Sequence, residues 1–181
     1  MKKHMDLIGC LALVGLVVTA AVAVAGDREE KPITHEGPRV GTFNTRGVAL
    51  AYGRSPEFME MVRQMKADHA KAEEEGDEER VAELEKLGPE LQDRLHRQVF
   101  GDAPIPEILV ELESHLPGIA EAAGVDMIVG DILYSAPGAE TIDITRHMMR
   151  PFDPSEETLE ILEELLATQP VDMDELDKRE H

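Results

Sequence analysis

At 181 residues the chain has room for one domain and an extension, and its 38 acidic against 18 basic residues give a formal net charge of −20. A surface that acidic repels nucleic-acid phosphates and anionic lipid, and a chain with no tryptophan and 3% aromatic residues lacks stacking platforms, so no nucleic-acid partner is expected. The one cysteine, Cys10, lies in an N-terminal apolar stretch, which leaves the remainder without disulfides, a thiol nucleophile or thiolate metal ligands.

Lys2, Lys3 and His4 form a basic start, followed by an uncharged apolar run from Leu7 to Val18 and by the small-x-small site Ala23-Val24-Ala25. This is the order of a secretory signal peptide over residues 1–25, cleaved after Ala25. The stretch from Leu7 to Ala25 would also span a bilayer if it stayed uncut, making it an anchor. Leu7-Ile8-Gly9-Cys10 resembles a lipoprotein box, but its cysteine precedes the apolar core instead of following it. Residues 26–38, with Pro32, Gly37 and Pro38, read as a flexible lead-in.

Alternation from Arg39 to Thr45 predicts a short strand, and Gly47 and Gly53 bracket a small apolar segment, Val48 to Tyr52. Ser55-Pro56-Glu57 is a helix start, serine as N-cap and proline at the first helical position. Phe58, Val62, Met65, His69 and Ala72 then repeat at four- and three-residue steps, a coiled-coil-like seam that predicts a helix to about Glu75. The carboxylates of 73–79 do not have the spacing of a calcium loop and read as a solvated turn around Gly76. Val81, Leu84, Leu87, Leu91, Leu95 and Val99 mark a second, returning helix, with Gly88-Pro89 expected to kink or split it.

After a turn at 101–106, Ile108, Leu112, Leu116, Ile119 and Ala123 predict a third helix from about Glu107 to Ala123, bent at Pro117-Gly118 and stopped by Gly124. Val125 to Val129 reads as a strand that Gly130-Asp131 turns into a second strand, Ile132 to Ser135. Thr141 to Thr145 is extended, and Arg146 to Met149 begins a short helix. Asp153-Pro154-Ser155-Glu156 predicts a last helix with Asp153 as N-cap, followed by a disordered acidic tail.

Nothing in this order points to catalysis. The histidines (His4, His35, His69, His96, His115, His147, His181) are scattered, with no metal-ligand spacing, nucleophile elbow or phosphate-binding glycine loop. An enzyme is not expected, and neither is a cofactor or metal.

Three stretches carry a family resemblance. Val40-Gly41-Thr42-Phe43-Asn44-Thr45 with Gly47-Val48 resembles the first strand and following turn of the OmpH/Skp family of periplasmic outer-membrane-protein chaperones. Ile119 to Val129, a helix ending in alanine, then glycine, aspartate and a β-rich strand, is similar to the family pattern. Leu133-Tyr134, Pro137 and Asp143-Ile144-Thr145 resemble its closing stretch. The resemblance covers roughly residues 39–150; 151–181 adds a helix and an acidic tail.

The resemblance implies an α+β fold in which a helical hairpin, a coiled-coil-like arm over about 55–120, projects from a small β body of 39–54 and 121–150. It implies a homotrimer held by Val40, Phe43, Ile128, Val129, Leu133, Tyr134, Ile142 and Ile144 in that body. The function implied is that of an ATP-independent periplasmic holdase. Unfolded outer-membrane or periplasmic proteins would be its partners, with membrane contact only through an uncleaved signal. Phe58, Met59, Met61 and Met65 are the candidate client contacts, because methionine is soft and adaptable. Phe58 and Met65 serve equally to pack the two arm helices together, which leaves Met59 and Met61 the more client-facing pair. The alternative is an exported, membrane-anchored structural or adaptor protein on the same scaffold.

Overall fold

The computed structural model describes residues 37–173. The signal peptide and most of the lead-in, residues 1–36, lie outside the described residues, as does the end of the acidic tail, 174–181. The fold is α+β and mostly helical, with one small sheet of three parallel strands. Strand β1 (Val40–Thr42) is central, flanked by β2 (Met127–Val129) and β3 (Thr141–Asp143), with Gly41 opposite Ile128 on one side and Ile142 on the other. A side chain at Gly41 has no room: its Cβ would fall 2.9 Å from Ile144 and 3.1 Å from Val125.

Helix α1 (Thr45–Gly53) follows at once and runs through the middle of the molecule. The expected continuation of the strand to Thr45 and the unassigned segment Val48 to Tyr52 are thus replaced by a helix. Asn44 caps it, accepting from the amides of Arg46 at 3.0 Å and Gly47 at 3.3 Å. Arg46 to Ala51 are all buried, as suits a helix covered on every side. Its glycines let neighbours close in: a Cβ on Gly47 would lie 2.7 Å from Leu162, and one on Gly53 2.5 Å from Leu95.

Helices α2 (Pro56–Glu75) and α3 (Glu78–Phe100) form next and pack on each other. Ser55 accepts from the Phe58 amide at 3.1 Å, Pro56 opens α2, and Gly76 ends it with φ 70°. Asp77 caps α3 by accepting from the Arg80 amide. Pro89 removes one backbone donor, yet α3 stays a single helix through Gly88-Pro89; the expected split does not occur.

The third predicted helix is divided: α4 (Pro106–Leu112), a 3-10 turn at Glu113–His115, and α5 (Leu116–Ala123). The break lies just ahead of Pro117 because proline there has no N–H to donate back to Glu113. Gly124, φ 65°, ends α5 as expected. The predicted hairpin of β2 with Ile132 to Ser135 does not form. Residues 130–140 are exposed, and Thr141–Asp143 takes the second position beside β1. Burial decides this: Ile144, just beyond β3, is fully enclosed, whereas no described element covers Leu133 or Tyr134.

Asp143-Ile144-Thr145 is a structural knot. The Asp143 carboxylate accepts from the Thr145 amide at 2.8 Å and hydroxyl at 2.6 Å, while the Thr145 oxygen accepts from the Asn44 amide at 2.9 Å. It joins the ends of β1 and β3 to α6 (Thr145–Met149), which continues into a 3-10 turn at Arg150–Phe152. Asp126 plays a similar part beside β1, accepting from the Arg39 amide at 2.8 Å and returning its own N–H to the Arg39 carbonyl.

Helix α7 (Glu156–Leu166) is capped by Ser155, not Asp153, since Asp153 has a left-handed backbone, φ 48°, that terminates the preceding turn. It is no appendage: Leu162 and Leu165 belong to the same core as Val48, Ile108, Ile144, Met148 and Met149. The following residues are also held, in part by the Val171 amide donating to the Phe100 carbonyl at 2.8 Å. Arg46 reaches them from α1, donating to the Val99 carbonyl at 3.0 Å and to the carbonyl and hydroxyl of Thr168. Burial lowers its pKa from the usual arginine value. No helix among the described residues is long and apolar enough to cross a membrane.

Candidate binding groove

Helices α2 and α3 do not zip together along their whole length. They leave an apolar groove of about 450 Å³ between them. From α2 come Phe58, Met59, Val62 and Met65; from α3 come Leu84, Leu91 and Leu95, with Gly88-Pro89 between them. Gly88 brings no side chain to fill the gap, and a Cβ built there would meet nothing within 4 Å.

Phe58 closes the end nearest the core. It is buried and meets Tyr52 edge-on at 5.1 Å, and Tyr52 in turn meets Phe152 at 5.6 Å. Tyr52 holds its proton beyond the usual tyrosine range, first because it is desolvated and then because the negative charge of Glu111 disfavours a second anion beside it. At the other end His69 lies between two carboxylates, with Nδ1 3.5 Å from Glu73 on its own helix and Nε2 3.7 Å from Glu85 on α3. Leu84, which lines that end, is buried, and so is Ala72, one turn further along α2.

Of the four candidate client contacts, Phe58, Met59 and Met65 converge on this groove, while Met61 does not line it. Phe58 is a closing wall, consistent with a packing role; Met65 is half-buried; Met59, 48% exposed, stands at the rim. Met61 is exposed as well, but off the groove. The reading of single residues overlooked Lys66, Gln92 and the Gly88-Pro89 floor. The repeat Met59, Val62, Lys66, His69, with its three- and four-residue steps, is the signal that places Lys66 on that face.

The residues assigned to the β body divide. Val40, Ile128, Val129 and Ile142 lie in the three strands, Phe43 packs against the core, and Ile144 is inside it. Leu133 and Tyr134 are in no strand, and their side chains are almost wholly exposed, at 103% and 79%. A second apolar cavity, of about 660 Å³, opens beside β2 where Gly130 and Asp131 begin this exposed segment; Phe43, Ile105, Leu116 and Ile128 line it.

Among the described residues no three histidine, aspartate or glutamate side chains converge as a metal site. No buried side-chain polar atom among them is left without a partner. The groove's chemistry is that of contact: dispersion and burial along an apolar trough, with polar groups at its margins. No family model, curated protein or solved structure matches the chain.

Proposed function

We propose that this protein is an ATP-independent holdase of the exported space, gripping apolar segments of unfolded outer-membrane or other exported proteins in the groove between α2 and α3. The observation that carries the reading is the groove itself: an open apolar trough with Met59 and Met65 along it, on a helix pair whose outer faces are charged. An unfolded β-barrel chain exposes alternate apolar side chains and otherwise aggregates. Methionine accommodates many such sequences because its side chain is unbranched and polarizable.

The leader sequence supports export to the periplasm, and the resemblance of residues 39–150 to the OmpH/Skp family supports the chaperone reading. In this proposal α2 and α3 are the arm and the three-stranded sheet is the body that joins three copies. Support for assembly comes from Leu133 and Tyr134, exposed beside an apolar cavity, and from β2 and β3, each paired on one side only.

The test is suppression of aggregation when a urea-unfolded outer-membrane barrel is diluted into the protein purified from the exported fraction. Suppression without nucleotide at near-stoichiometric ratio is expected, from a species whose light-scattering mass is close to three chains. A monomer removes the three-armed assembly. Absence of suppression at large excess, with one partner retained at fixed stoichiometry through purification, assigns the protein instead as an exported adaptor.

A further inference from the structure

Every ionisable side chain lining the groove is basic, Lys66, His69 and His96, in a chain whose net charge is −20. Most other cations on the two helices are matched: Arg63 pairs with Glu60, Lys71 with Glu75, Arg80 with Glu83, Lys86 with Glu90 and Arg97 with Asp93, while Arg94 lies off the groove. His69 is engaged by Glu73 and Glu85, and His96 lies edge-on to Phe100 at 5.8 Å. Lys66 pairs with no carboxylate among the described residues. A cation without a counter-ion thus stands on the wall of an apolar trough.

We infer that the groove selects extended apolar segments flanked by an acidic side chain, with Lys66 as the group that meets the carboxylate. The inference rests on the groove being the client site and narrows which client segments it takes. From Phe58 to His69 the trough runs about 16 Å along α2, the reach of about five extended residues. Lys66 stands about 12 Å from the Phe58 end, so the carboxylate belongs at the far end of such a segment. The direction of the preference is diagnostic. The field of a chain at −20 favours cationic ligands at long range, so a preference for an anionic one must come from a local group. At physiological salt the distant charges are screened over about 8 Å, and the contact at Lys66 persists.

The experiment uses three acetylated, amidated peptides that share an alternating segment (Phe-Thr-Val-Thr-Leu) and differ only in a following Glu, Gln or Lys. Their affinities are measured by fluorescence anisotropy at physiological salt for the wild-type protein, Lys66→Gln and Lys66→Glu. The expected result is Glu over Gln by about two- to fivefold, the range of an exposed ion pair. Lys66→Gln should abolish that ratio and Lys66→Glu should invert it in favour of the Lys peptide. Equal binding of all three peptides, or a Glu preference that survives Lys66→Gln, overturns the inference while leaving the groove as client site. If none of the three binds, the client reading and the inference fall together.

Discussion

Helices α1 and α2 are consecutive and handle burial in opposite ways. The nine residues of α1 bury six, Arg46 through Ala51, whereas the twenty of α2 bury two, Phe58 and Ala72. The first helix is short, small-residued and enclosed by α3, α6 and α7; the second leans on one neighbour and leaves an apolar trough beside it. Stability therefore resides around α1, and the surface free to bind resides along α2.

Breaking the body should cost most. Leu162→Ala removes a side chain 1% exposed that touches Gly47, and an expected loss of about 2–5 kcal/mol would appear as a lower urea midpoint. Arg46→Met should follow at about 1–3 kcal/mol, because the Val99 and Thr168 carbonyls would be left without their donor. The same urea titration checks it, and an unchanged midpoint would show that water replaces the guanidinium at no cost.

On the binding side, Met59→Ser should leave stability within about 0.5 kcal/mol, since the side chain is half-exposed. Client affinity should fall about fivefold, from about 1 kcal/mol of lost apolar contact, as read from the midpoint of aggregation suppression. A variant that binds as before would move the client site off the groove. The same change at Met61, which lies off the groove, sharpens the contrast and should leave affinity unaltered.

Tyr52 sits where the two regions meet, and its effect is confined to alkaline solution. Its folded pKa is raised above the ordinary 10.0, so the protonated phenol is favoured by folding. The associated stability is whole below pH 10 and is lost as pH rises through the folded value. Tyr52→Phe should flatten the fall in urea midpoint between pH 8 and about 11. Identical slopes for the two proteins would place the alkaline transition elsewhere.

Local chemistry made parts of this fold readable. Ser55-Pro56, Gly76 and Gly124 bound their helices where cap chemistry places them, and the apolar steps along 58–72 and 81–99 describe two helices that do pack together. Other parts were hidden for physical reasons. Gly47 and Gly53 look like helix breakers, yet α1 forms because close packing with Leu162 and Leu95 outweighs propensity. Ile132-Leu133-Tyr134 has the composition of a strand, but Thr141–Asp143 took the place beside β1 because Ile144 finds a buried seat there. The groove was legible by half: methionines at helical spacing pointed to it, while the Lys66 wall and the Gly88-Pro89 floor needed both helices in place.

By itself the sequence determined the start and stop of α2, the stop of α5, the acidic surface and the aliphatic character of the core, since caps, charge and apolar content act over a few residues or need no partner. Tertiary structure alone decided that α1 is central, that the sheet is parallel with β1 inside it, and that α7 belongs to the core. It also decided that an apolar trough stays open between α2 and α3. Each of those outcomes depends on which distant surfaces compete for burial, and that competition is settled only when the whole chain is packed.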